Sequence, residues 1–243
     1  MKLGYNFKGD NAKLKLRKYM GPALPPPPRD VDWTLAISDE LTMMGNDQVG
    51  DCTAADIGHV VMLQTANGSG IVIPSTADVL TFYSGCTGYD PNDPNSDRGA
   101  SLSEAAAYAR TVGMAGHKIR GSLDVDFTKP DAIKQSIYLF KNCAFGVRLP
   151  KSAMDGFGKG TWSDITDTKI LGGHDVPGVM YDDEGVTIIT WGAYQKVTWA
   201  WLLHYADEAQ ARLYEDAVES DYGMDPNGFK MADLEADLQI VGA

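Results

Sequence analysis

Cys52 stands where the polar, turn-forming run NDQVGD, residues 46 to 51, gives way to the small and apolar CTAADIGHVV. A thiol attacks a carbonyl well only as its thiolate, and the free amides and partial positive charge of a helix N-terminus stabilise that anion. The nucleophile also needs a base to take its proton. Among His59, His117, His174 and His204, His174 suits that task best, because it follows LGG and opens a β-rich run that can carry it into a cleft. His59 sits seven residues beyond Cys52, about two helical turns along the axis and out of reach of the thiol. Cysteine is also among the most buried residue types, so a thiol beside alanines reads equally as core filling. Position decides between the two readings.

Ala54, Ile57, Gly58, Val61 and Thr65 fall on one helical face and NGSG stops the pattern, which predicts a helix over 52–66 with Cys52 in its first turn. Ser75 with Asp78, and Ser101 with Glu104, are capping pairs that open two further helices, and Gly113 ends the second of these. A fourth helix starts near Thr128 and Pro130 and buries Ile133, Ile137 and Phe140. After Cys143 the pattern changes. AFGVRL, DVPGVMY and GVTIITWG are short β-rich runs, the last two joined by a turn through Asp182, Asp183, Glu184 and Gly185. Helices first and sheet second predict an α+β fold in which a helical half bearing Cys52 faces a sheet bearing His174.

The 243 residues suffice for one large domain or for two lobes sharing a cleft. A net charge of −12 opposes a phosphate backbone and argues against nucleic acid as partner. No run approaches the roughly 20 apolar residues that span a bilayer, and MKLGYNFKGDNAKLKLRKYMG lacks the apolar centre of a secretory signal. These features predict a cytoplasmic protein, or one carried in a larger assembly, without membrane insertion. Cys52, Cys86 and Cys143 have neither zinc-site spacing nor the density of a disulfide scaffold, and no metal or other cofactor is expected. Asp90, Asp93 and Asp97 in YDPNDPNSDRG offer oxygens to a calcium ion but lack EF-hand spacing, so turn formation is the reading. Lys2, Lys8, Lys13, Lys15, Arg17 and Lys18 make the first residues basic, and we read them as a solvated extension. Pro25 to Pro28 then form an extended strap, so residues 1–29 are taken as an extension and 30–243 as the domain.

DVDW, residues 30–33, places Trp33 19 positions before Cys52, and papain-like cysteine peptidases begin their mature domain with a similar Val-Asp-Trp at almost that distance from the nucleophile. GDC resembles their Gly-Ser-Cys, and Asn46 lies six residues before Cys52, where they carry the Gln of the oxyanion hole. GGHDVPGVMYDDEG looks like the segment presenting their histidine, and TWG, residues 190–192, resembles their Ser-Trp-Gly. SLSEAAAYARTVGM and PDAIKQSIYLFKNCAFGVRL are similar to the helices and strand between. The pieces run in order from about residue 30 to 192. GNDQVGDCTAA, with the later TWAWLLHYADEAQARL, also resembles uncharacterised papain-like proteins of bacteriophages and bacteria.

The resemblance implies a papain-like two-lobe fold acting on a peptide or amide bond through an acyl-thioester. Cys52 would be the nucleophile, His174 the general base and later acid, and the Cys52 amide with Asn46 the oxyanion donors. Trp191 would shield the histidine's hydrogen bonds, or serve as plain core. There are three departures. Ile189 holds the place of the family's orienting Asn and cannot bond an imidazole, while Thr190 is expected on the opposite face by strand alternation. Asn46 is one methylene shorter than Gln. Asp51 beside the cysteine disfavours thiolate unless it caps the helix and points away. Two other functions therefore stand beside the hydrolase. One is a catalytically degraded fold serving as a structural or binding part of a phage virion, with virion proteins as partners; the other is an acyltransferase or cell-wall amidase using the same pair. The stretch ahead of VDW is too short for a long inhibitory propeptide, which implies a cytoplasmic or virion-associated protein outside the secretory pathway.

Overall fold

A computed structural model describes residues 1–9, 14–37, 41–68, 70–214 and 229–241. The chain opens with a short strand β1 (Leu14–Lys15), a helical turn α1 (Leu16–Tyr19) and a second short strand β2 (Val31–Asp32). Helices α2 (Cys52–Ala66), α3 (Thr76–Thr87) and α4 (Leu102–Thr111) follow, then β3 (Ile119–Asp124) and α5 (Pro130–Phe140). The remainder is mainly sheet: β4 (Cys143–Pro150), α6 (Lys151–Gly156), β5 (Ile170–Tyr181), β6 (Gly185–Thr190), β7 (Ala193–Thr198), α7 (Trp199–Tyr205) and β8 (Ala206–Tyr214), with a last helix α8 (Met231–Val241). Strands pair in the order β1-β3-β8-β4-β5-β6-β7, and β2 pairs with β5. The fold is α+β, with helices and sheet segregated as the sequence predicts.

Helix α2 has the predicted bounds, and every residue from Cys52 to Thr65 is buried. It lies against β5 on one side and against α3 and α4 on the other. Gly58 leaves room for the loop before α2 and for α3, because a Cβ there would stand 2.6 Å from Met44 Sδ and 3.3 Å from Val79 Cγ2. Ile57, Val61 and Met62 meet Val79, Phe82, Tyr83, Ala105 and Ala109 in the core of the helical half. Both predicted capping boxes form, at Ser75–Asp78 and Ser101–Glu104, and Gly113 takes a φ of +84° just past the end of α4.

The sheet half has its own core. Phe145, Val147, Val176, Ile188 and Val197 pack with Ile133, Ile137 and Phe140 of α5 and with Trp201 of α7. The β5–β6 turn is held by Asp182, whose carboxylate accepts the Glu184 N–H at 2.9 Å and the Gly185 N–H at 3.1 Å. The Pro25 and Pro28 carbonyls of the strap accept bonds from Gln135 Nε2 at 3.0 Å and the Tyr181 hydroxyl at 3.1 Å.

The solvated N-terminal extension requires correction. Lys2 pairs with Asp97 at 3.0 Å, Lys8 with Glu104 at 2.5 Å and Lys18 with Asp237 at 2.6 Å, because a basic arm on an acidic body finds carboxylates nearby. Lys13 lies outside the described residues. In the 89–99 loop, Asp90 accepts the Asn92 N–H at 2.8 Å and Asp93 the Asn95 N–H at 3.0 Å, the side-chain turns expected of these residues. Asp97 instead anchors the loop, accepting the Gly50 N–H at 3.1 Å and the Tyr83 hydroxyl at 2.8 Å. Among the described residues no helix is long and apolar enough to cross a membrane.

Candidate active site

Cys52 begins α2 and His174 lies on β5, so the packing of that helix on that strand sets their meeting. Both are 1% exposed. Cys52 Sγ accepts the Asp175 N–H at 3.5 Å, which brings the β5 backbone over the first turn of α2. His174 Nε2 lies 2.8 Å from Thr190 Oγ1, and its ring stacks on Trp191 with centroids 4.7 Å apart and planes 16° from parallel. His174 Nδ1 is buried and makes no hydrogen bond. Cys52, Asn46, His174, Thr190 and Trp191 line one small cavity. The residues expected at the site are thus together.

Thr190 departs from the expectation that alternation turns it away. Gly178 pairs with Ile188, and two residues further along each strand Thr190 falls on the face of Val176 and His174. Ile189 points to the other face and packs with Ile37, Leu63 and Val179. His59 also borders the cavity, but its Nε2 is engaged with the Thr42 carbonyl at 3.0 Å.

The electrostatics are those of a dry site. Burial, followed by the charge of Asp175, pushes the Cys52 thiol well above its ordinary range. Burial lowers His174 to about 3, so its imidazole is neutral. Asp51 does not cap α2 with its side chain. Its carboxylate accepts Asn46 Nδ2 at 3.1 Å, and the same amide reaches the Val49 carbonyl at 3.2 Å. Burial raises Asp51 to about 7, against the opposing bond from Asn46.

Sequence reasoning missed two parts of this site. The first is Arg212 on β8, fully buried, which pairs with Asp56 on α2 and lies 3.4 Å from Asp175 on β5. One guanidinium thereby ties the thiol's helix to the histidine's strand. Burial and the neighbouring Asp56 hold the Asp175 carboxyl well above the usual carboxylate range.

The second part is the N-terminal arm. The Lys2 N–H donates to the Asn46 carbonyl at 3.0 Å, the Tyr5 N–H to Gly173 at 3.2 Å and the Asn6 N–H to Ala100 at 2.9 Å. The Ala100 N–H returns a bond to the Gly4 carbonyl at 2.8 Å. Gly4 lies so close to the loop before α2 that a Cβ on it would stand 1.7 Å from the Gly50 carbonyl oxygen. Tyr5 packs with Cys52, Leu102 and Ala144, and the Gly4 backbone favours the thiolate form of Cys52 against the pull of burial. The arm covers Cys52.

No family model matches this chain, and no curated protein matches it. Solved structures do. Xylellain, a cysteine protease from Xylella fastidiosa, superposes with a TM-score of 0.65 at 16% identity, covering 87% of this chain and 95% of that one. A procathepsin B from Trypanosoma congolense gives a TM-score of 0.61 at 11% identity, covering 88% and 87% of the two chains. A Carica candamarcensis cysteine protease solved with E-64 gives 0.55 at 14% identity, covering 76% and 98%. At such identities the likeness is one of architecture. The chain has the fold of the papain-like cysteine peptidases.

Proposed function

We propose that the chain is a papain-type cysteine hydrolase of peptide or amide bonds, with Cys52 as nucleophile, His174 as base and Thr190 as the group that orients the imidazole. The observation that carries this reading is the placement of His174. Its Nε2 is held by Thr190 at 2.8 Å and its ring by Trp191, while Nδ1 is left without a partner in the cavity that Cys52 shares. An Nε2–H donated to Thr190 Oγ1 puts the lone pair on Nδ1, the tautomer that accepts a thiol proton. The thiolate attacks the carbonyl carbon, and the oxyanion that forms accepts the Cys52 N–H, one of the first-turn amides without an intrahelical acceptor. The imidazolium then protonates the leaving amine. Water, deprotonated by His174, releases the acid from the acyl-thioester and restores the thiol. Asn46 serves as second oxyanion donor once one amide hydrogen leaves Val49 or Asp51.

With the arm in place the thiol is sealed, so turnover requires the arm's withdrawal. The test is hydrolysis of a panel of peptide amides by the full chain carrying Gly4→Val, which cannot hold the arm against Gly50. We expect turnover that falls about 10³-fold or more with Cys52→Ala or His174→Ala. An exposed Cys52 with no turnover of any member contradicts the proposal.

A second reading rests on the sealed thiol and the engaged Asn46 amide: the fold is kept as a binding or structural component, for instance in a virion, with hydrolysis lost. Particles unaffected by Cys52→Ala but lost on deletion of the whole chain favour it. Transfer of the acyl group to an amine rather than water, as in an acyltransferase, uses the same Cys52–His174 steps and is recognised by its product.

A further inference from the structure

Arg212 sets one positive charge between two carboxyls, Asp56 on α2 and Asp175 on β5, and none of the three side chains is exposed to solvent. With both acids ionised the cluster would keep an uncompensated negative charge away from water, and two carboxyls sharing a dry site do not both ionise. One proton has to stay. The bond lengths say where. Arg212 Nη1 makes the short bond, to Asp56 Oδ2, whereas Nη2 stands 3.4 Å from Asp175 Oδ2. A guanidinium makes its shorter bond to the ionised partner. Asp56 is thus the carboxylate and Asp175 the acid, with Asp56 as the neighbour that takes part in its hydrogen bonding. Each acid keeps its other oxygen, Oδ1, buried without a partner, and both residues line the cavity of Cys52 and His174.

Asp175 also donates its backbone N–H to Cys52 Sγ at 3.5 Å, so it stands beside the sulfur that must ionise. Among the carboxyls around Cys52 its charge opposes the thiolate most, ahead of Asp51. The remaining groups that face Asp175 are Glu208 and Tyr214 on β8 and Tyr5 on the arm, all acids, and they add to the pressure to keep a proton there.

We propose that Asp56 and Arg212 hold Asp175 as a neutral carboxylic acid, and that this proton is what allows Cys52 to ionise beside it. The second half rests on the reading of Cys52 as nucleophile. Asp175 is a positioning residue that acts through the thiol: its own proton stays in place while the thiol proton passes from Sγ to His174 Nδ1. The thiolate and imidazolium then form beside a cluster of zero net charge. With Asp175 ionised, the same transfer would set a thiolate against a carboxylate, and the thiol would keep its proton.

Infrared difference spectroscopy on the full chain at neutral pH reads the proton, in an Asp51→Asn background because that carboxyl is itself raised to about 7. Carbon-13 labelling of the aspartates separates their bands from that of Glu208. A labelled carboxylic-acid carbonyl band should be present and should vanish with Asp175→Asn. Absence of that band, which needs no change at 175, overturns the proposal, as does its survival in the variant. The effect on the thiol is read from the pH midpoint of Cys52 alkylation in the full chain carrying Gly4→Val. Asp56→Asn leaves Arg212 to pair with an ionised Asp175 and should raise the midpoint by about one pH unit or more. Asp175→Asn, the neutral mimic, should move it less than half as far. Equal shifts, or a larger one for Asp175→Asn, overturn the proposal, since a purely structural clamp does not tell the two acids apart. If Cys52 titrates as an ordinary thiol in the Gly4→Val chain, the hydrolase reading fails, and the acid band still decides where the proton sits.

Discussion

His174 is fixed by one polar and one aromatic contact, and these are separable. Thr190→Val keeps the shape of the side chain but removes the hydroxyl at Nε2. If that hydroxyl sets the tautomer, kcat should fall about 10²-fold with KM little changed, and Thr190→Ser should recover most of the loss, as steady-state kinetics on the best peptide substrate will read. An equal fall for both variants would assign Thr190 to packing. Asp51 makes a different prediction. Its carboxyl is raised from 3.8 to about 7 in the folded protein, so the native state holds a proton that the unfolded chain has lost, and its contribution to stability declines as pH rises from about 4 to 7. His174, lowered from 6.5 to about 3, works in the opposite sense: its contribution is full above the unfolded value and is lost as pH falls. Asp51→Asn removes that decline and leaves the histidine's rise in place, so urea midpoints of the variant should climb more steeply with pH between 4 and 7 than those of the native chain. Parallel profiles would contradict the burial argument. Cys52 and His174 were readable as candidates because nucleophile and base have few chemical alternatives. Thr190 was not, because its face depends on how β5 and β6 register, and that pairing carries an irregularity between Gly178 and Met180.

At the scale of elements, the N-terminal arm lies over Cys52. It is held by backbone bonds at Lys2, Gly4, Tyr5 and Asn6 and by the ion pairs of Lys2 and Lys8, of which the Lys8 pair is exposed on both sides and thus weak singly. The contact that admits no compromise is Gly4 against the Gly50 carbonyl. Gly4→Val should therefore displace the arm and raise the rate of Cys52 alkylation in the folded protein about tenfold or more, whereas Lys8→Ala should change it less than about twofold. Mass spectrometry after timed labelling checks both. Helices α2, α3, α4 and α5 were legible because capping residues, a proline at the first position and apolar spacing act within a few residues of one another. The arm was not, because backbone bonds from Gly4 and Tyr5 leave no signature in side-chain type, and the lysines advertise charge without saying where it is matched.

For the whole molecule, the decisive feature is that the thiol belongs to the helical half and the imidazole to the sheet. Arg212 joins them through Asp56 and Asp175, and all three side chains are shut away from solvent. Arg212→Met strands two buried carboxyls and should destabilise the chain by roughly 3–5 kcal/mol in urea unfolding. A loss below about 1 kcal/mol would mean that these groups relax to water or to other partners. The overall architecture followed from the order of helices and strands, which short-range patterns reveal. The clamp did not, since Asp56 and Arg212 lie 156 residues apart and nothing local to either marks the other. On the proposed function, the two halves assemble a working thiol–imidazole pair once the arm is out of the way. The pH dependence of Cys52 alkylation in the full chain carrying Gly4→Val, with and without His174→Ala, tests it most directly. Reactivity should persist well below the ordinary cysteine value of about 8.5 and be lost with the histidine. A thiol that titrates normally and is indifferent to His174 would contradict it.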